Sequence, residues 1–199
     1  MNPHLYKKVI DWIPEGSRVL DLGTGDGSFM EQLVRLKGVR GEGVERDPEM
    51  VMQCIDRGLE VHQGDILDGL DQYGNDVFDY ALILGTFQEL PEPEEVLRES
   101  FRVSRHVIVA YVNFAYWHYR WEIMAFGRVP RNSSLPLPWY ETANIQFFSI
   151  LDFSEFCNVK GFIENRRAFF NRKGEVKFLS NFRAESVLVQ LEDGDSADE

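Results

Sequence analysis

Short apolar runs separated by amphipathic stretches set the pattern of this chain. LYKKVIDWI (5–13) has helical spacing and is stopped by Pro14 and Gly16. SRVLDL (17–22) is a compact apolar run that ends in glycines, and SFMEQLVRLKG (28–38) after it reads as a helix closed by Gly38. RGEGVER (40–46) predicts a second strand, and Asp47-Pro48 a helix start, because aspartate caps and proline fits the first turn. EMVMQCIDRG (49–58) is that helix, and LEVHQGDI (59–66) a third strand. FDYALILGTF (78–87) is an apolar run of the kind found in a strand buried on both faces.

PEPEEVLRESFRV (91–103) opens with proline and acidic residues and closes with basic ones, the polarity a helix dipole favours. HVIVAYVN (106–113) is a fifth strand. Strand and helix alternating this far predict an α/β fold with a doubly wound, mostly parallel sheet. LDFSEFCNVKG (151–161) reads as the last helix, and IENRRAFFN (163–171) with KFLSNFRAESVLVQL (177–191) as an antiparallel finish to a seven-stranded sheet. Between them, residues 111–148 carry 11 of the 26 aromatics, an aromatic-rich insertion after strand 5.

Composition narrows the class. With 199 residues, 44% hydrophobic and 27% charged, the chain reads as one domain over 1–191, followed by an acidic, solvated tail at 192–199. The net charge of −12 argues against a nucleic-acid partner, which needs a basic face. Cys54 and Cys157 have no metal-ligand spacing and read as small buried hydrophobes of a reducing compartment. The first 14 residues lack the apolar core of a signal peptide, and no run approaches a membrane span. A soluble cytoplasmic protein is expected.

The chemistry concentrates in VLDLGTGDGS. Glycines at 23, 25 and 27 let backbone approach a ligand at the start of a helix. A dinucleotide fingerprint would have G-x-G-x-x-G; here the spacing is G-x-G-x-G, and Asp21 precedes it. A carboxylate is awkward beside a pyrophosphate but suits a cation, so a ligand with a positive amino group is expected. Glu45 at the second strand's end, followed by Arg46, can accept from a ribose diol. Asp65 can accept from an adenine amino group while Ile66 covers the ring.

VLDLGTGDG, GVERDP, QGDI and FDYALILGTFQEL resemble the successive motifs of class I S-adenosylmethionine-dependent methyltransferases. More narrowly, KGVRGEGVERDPE, PEEVLRESFRVSRHVIVAYVNFAYW and LPLPWYETANIQ resemble the MetW family of methionine biosynthesis over about residues 15–170. The resemblance implies a Rossmann-like fold binding S-adenosylmethionine or S-adenosylhomocysteine. Asp21, Gly23, Thr24, Gly25 and Gly27 would hold the methionine part, Glu45 the ribose, Asp65 and Ile66 the adenine, with Leu84, Gly85 and Thr86 beside the sulfonium. It also implies a homoserine O-acyltransferase, such as the acetyltransferase, as partner. Two positions depart from the family pattern: Thr24 stands where cysteine is usual, and Gln146 where histidine follows NI.

No catalytic base is evident. GTFQ replaces the NPPY that supports methylation of amino nitrogens in some families, and NFAY (113–116) follows the wrong strand. His4, His62, His106 and His118 are scattered, and no P-loop, HExxH or Ser-His-Asp set exists, so no metal is expected. The aromatic segment has three readings: a lid that fills core, a pocket lined by Tyr111, Asn113, Trp139, Tyr140 and Asn144, or a docking face of Trp117, Tyr119, Arg120, Trp121, Arg128 and Arg131. A cofactor-binding accessory protein is therefore expected first, and a small-molecule methyltransferase is the alternative.

Overall fold

The computed structural model describes residues 2–131, 135 and 137–194. Helix α1 (Pro3–Trp12) is capped by Asn2, whose side chain accepts from His4 N, with proline in the first turn. β1 (Arg18–Leu22) leads through the glycine turn into α2 (Ser28–Lys37), and β2 (Arg40–Glu45) into α3 (Pro48–Asp56). Asp47 caps α3 by accepting from Glu49 N, as its position before proline requires. β3 (Glu60–Gln63), α4 (Ile66–Leu70), β4 (Phe78–Leu84), α5 (Pro93–Val103) and β5 (Ser104–Val112) continue the alternation.

After β5 come α6 (Trp117–Phe126), α7 (Ile150–Lys160), β6 (Phe162–Asn171), β7 (Gly174–Glu175), α8 (Ser180–Arg183) and β8 (Ser186–Asp193). The sheet order is β3-β2-β1-β4-β5-β8-β6-β7. β3 through β5 pair in parallel, whereas β8 runs antiparallel between β5 and β6. The expected seven strands are all present, and the two-residue β7 adds an eighth by folding back on β6.

Alternation along the central strands feeds two cores. Leu20, Ala81, Ile83, Val107 and Val109 pack with α4, α5 and α7 side chains such as Leu70, Leu97 and Phe153. Val19, Leu82, Ile108 and Leu188 pack on the opposite face with Leu5 and Val9 of α1 and Phe29 and Leu33 of α2. Strands buried on both faces explain the unbroken apolar runs.

Several boundaries differ from the sequence reading. The last strand, expected over 177–191, begins only at Ser186, because Ser180–Arg183 forms α8, and the fifth begins at Ser104 rather than His106. The third strand stops at Gln63, because Asp65 accepts from Leu67 N and opens α4 instead. The fourth stops at Leu84; Gly85 (φ +97°) turns the chain into a 3-10 turn over Phe87–Glu89. Glu192 and Asp193, assigned to the tail, are strand residues of β8 paired with Ile163 and Phe162. The rest of that tail, 195–199, lies outside the described residues. Both cysteines are buried and unpaired. Among the described residues no helix is long and apolar enough to cross a membrane.

Candidate functional site

From β1 the chain visits β2 and β3 on one side and β4 and β5 on the other, so the order reverses between β1 and β4. Open α/β sheets bind ligands at such a switch, outside the carboxyl ends of the strands. A cleft of about 280 Å³ lies there, lined by Gly23, Glu45, Arg46, Met50, Asp65, Ile66, Thr86 and Glu89 among others.

The turn is held from several directions. Gly23, Gly25 and Gly27 all have positive φ, at +82°, +58° and +74°. The Gly23 and Thr24 amides donate to Val44 O, anchoring the turn to β2. A Cβ on Gly23 would lie 2.3 Å from Thr86 Oγ1, whereas one on Gly25 would meet nothing within 4 Å. The two glycines thus serve different needs: close packing at 23, an open approach at 25.

Glu45 is the hub of this end of the sheet. Its Oε2 accepts from Gly25 N at 2.8 Å, and Oε1 accepts from Arg46 N at 2.9 Å and Asp47 N at 3.0 Å. A carboxylate offers about four lone-pair sites. Three are taken, so the geometry leaves Oε2 one further donor. Asp65, as cap of α4, accepts from Leu67 N through Oδ1 at 3.2 Å.

Asp21 is buried beneath the turn. Thr24 Oγ1 donates to its Oδ2 at 3.1 Å, while Oδ1 is buried with no hydrogen-bond partner. Burial raises its pKa to about 7; the Thr24 hydroxyl opposes this and nearby Glu45 adds to it. An orphaned carboxylate oxygen beneath a glycine turn is an arrangement that an ammonium would relieve.

The family model described as methionine biosynthesis protein MetW matches residues 4–191. The chain belongs to the MetW family. A bifunctional methionine biosynthesis protein MetXA/MetW from Rhodopirellula baltica is 29% identical over 174 residues, 83% of this chain. The chain spans 28% of that relative's length. Among solved structures, a SAM-dependent methyltransferase from Archaeoglobus fulgidus superposes with a TM-score of 0.70 at 14% identity, covering 94% of this chain and 90% of that one. Another from Thermotoga maritima gives 0.67 at 20% identity, covering 96% and 88%. The MetW-family chain therefore has the Rossmann-like class I methyltransferase fold.

Of the cofactor residues expected from sequence, Gly23, Glu45, Arg46, Asp65 and Ile66 line the cleft. Asp21 and Thr24 support the turn, Gly25 lies in it outside that lining and donates to Glu45, and Gly27 is the N-cap of α2, packed against Cys54 and Leu59. Gly85 lines a second cavity of about 810 Å³, with His4, Gln88, Val112, Asn144 and Ser186. Glu89 borders both cavities. Burial raises its pKa, which Arg46 opposes and Glu45 reinforces.

The aromatic segment divides. Tyr111 is buried in core, against Phe148 and Phe153, and the buried Asn113 amide donates to the carbonyls of Asn181 and Ala184. Asn144 reaches the second cavity, while Trp139 and Tyr140 stand exposed and stacked edge to face. Trp117, Arg120 and Trp121 lie on exposed positions of α6. His118 pairs with Glu122 on the same helix at 3.4 Å.

Sequence reasoning missed Glu89, Gln88 and Met50. Gln88 is buried; its Oε1 accepts from Val112 N and its Nε2 donates to Gln146 O, while its carbonyl accepts from the Ile145 and Gln146 amides. It ties the turn after β4 to β5 and to the aromatic segment. Gln146, at the departure from the family pattern, donates to Leu90 O.

Proposed function

We propose that this chain binds S-adenosylmethionine, or S-adenosylhomocysteine, as an accessory protein of methionine biosynthesis acting with a homoserine O-acyltransferase. For the cofactor, the supporting observation is the orphaned oxygen of buried Asp21 beside a glycine turn. Asp21 would take the ammonium, Glu45 Oε2 a ribose hydroxyl, and the second oxygen of Asp65 the adenine amino group, with Ile66 against the ring. Gly25 would allow the backbone to approach. When bound, S-adenosylmethionine supplies an activated methyl group.

For the partner, one observation carries the reading: the MetW relative from Rhodopirellula baltica is joined to MetXA in one bifunctional protein. Fused partners in one organism are commonly separate, associating chains in another. The test is the rate of homoserine acylation by the purified acyltransferase with and without this chain. A changed rate, sensitive to substitution at Asp21, supports the reading; an unchanged rate with no complex overturns it.

A methyltransferase of small molecules is the second reading, favoured by the 810 Å³ cavity that meets the cleft at Glu89. Methyl transfer needs an acceptor held in line and, for a weak nucleophile, a base within hydrogen-bond reach. Glu89, which lines both cavities, would be the base in this reading. Transfer of labelled methyl from S-adenosylmethionine into a metabolite extract, lost in Glu89→Gln, would favour this reading. Cofactor binding without transfer would count against it.

A further inference from the structure

Helix α6 meets the body of the protein through very little of its surface. Its sequence, WHYRWEIMAF, spreads large apolar residues around the axis rather than along one stripe, with His118, Arg120 and Glu122 among them, and Tyr119 is its one buried residue. Large apolar side chains on a helix are ordinarily turned toward a core. Here Trp121, Ile123, Met124 and Phe126 are 53%, 44%, 73% and 69% exposed.

The helix is nonetheless fixed in place. Tyr119 OH donates to the buried Glu185 carboxylate at 3.0 Å. Arg120 Nε donates to Ala115 O, and its guanidinium lies over the Phe182 ring. Gly127 (φ +60°) ends the helix, and Glu122, Phe126, Arg128, Val129 and Arg131 then line a groove of about 520 Å³.

Charge says what would cover this face. Residues 117–131 contain three arginines and one carboxylate, in a chain of net charge −12. A second copy would meet the face with its own arginines if the contact were two-fold, and like charges oppose that. A partner offering an apolar pocket bordered by aspartate or glutamate fits both the projecting side chains and the basic rim. Exposed aromatics, methionine and arginine are also the residue types that anchor interfaces.

We propose that α6 and the turn after it are the docking face for the homoserine O-acyltransferase, which meets them with an apolar pocket edged by carboxylates. The proposal rests on the reading above that the acyltransferase is the partner, and adds where it binds and by what chemistry.

The test is calorimetric titration of the purified acyltransferase into the full-length chain, with variants at exposed positions. Met124→Glu and Phe126→Glu should each weaken binding at least tenfold, and Arg128→Glu should weaken it most at low salt. Val159→Glu, on exposed α7 surface, should leave it unchanged. Thermal unfolding checks that each variant is folded. Equal affinity in wild type, Met124→Glu and Phe126→Glu would overturn the docking face and leave the partnership standing. No complex with wild type would overturn the partnership, and this proposal with it. Self-association of wild type without the acyltransferase, lost in Met124→Glu, would assign the face to a second copy and overturn the proposal.

Discussion

The amide of Gly25 donates to Oε2 of Glu45 across 2.8 Å, joining the turn after β1 to the end of β2. One carboxylate thereby shapes the turn and borders the cleft. Hydrogen bonds to a charged group are each worth about 1.5–3 kcal/mol. Glu45→Ala removes three, so we expect a clear fall in melting temperature and at least a tenfold loss of S-adenosylmethionine affinity by calorimetry. Unchanged affinity would remove Glu45 from the site.

Gly23→Ala and Gly25→Ala should fail in different ways. At position 23 the new Cβ falls 2.3 Å from Thr86 Oγ1 on backbone of φ +82°. Left-handed backbone alone costs an L-residue about 1–2 kcal/mol, and the clash adds to it. Stability should drop by about 2 kcal/mol or more in denaturant unfolding. At position 25 the Cβ enters open space. Only the backbone cost applies to folding, so Gly25→Ala should lose affinity far more than stability. Equal stability losses would contradict the division of roles.

Asp21 should make both folding and cofactor binding depend on pH. Its carboxyl is raised from 3.8 to about 7 by burial, so the fold favours the protonated form. The stability this contributes is fully present below pH 3.8 and is lost as pH rises through about 7. Asp21→Asn, which stays neutral, should therefore compare more favourably with wild type at pH 8 than at pH 5 in thermal unfolding. Binding has the opposite sense, because an ammonium needs the ionised carboxylate. Wild-type affinity relative to Asp21→Asn should fall as pH drops below about 7, by up to tenfold per unit. A pH-independent ratio would remove the ammonium from Asp21.

Gln88 should act on the aromatic segment rather than on the sheet. Gln88→Ala breaks the bonds to Val112 N and Gln146 O inside a buried site. Hydrogen exchange should quicken at Val112 and across 139–148 while the amides of β1, β4 and the rest of β5 keep their protection. Uniform loss of protection would mean that the residue supports the whole fold.

The turn, the strand end at Glu45 and the alternation of the first five strands with helices were legible because each is written locally: apolar runs, glycines and a carboxylate at a strand end. Gly64-Asp65 was ambiguous, since a strand end and a helix cap share that signal; the bond from Leu67 N decided it. Glu89 and Gln88 carried no signal, because their places depend on the 3-10 turn folding back between β5 and the insertion. Tyr111 and Trp121 look alike in sequence, yet one is core and the other exposed. Aromatic content gives the amount of apolar surface, and only packing tells where it goes.

The central claim is that the cleft at the end of β1 and β2 takes S-adenosylmethionine. Titration calorimetry of the full-length chain with S-adenosylmethionine at pH 8 tests it most directly, with Gly25→Ala as the folded control. The expected result is one site per chain in the wild type, weakened at least tenfold in the control. No binding by the wild type, or equal binding by both, would contradict it.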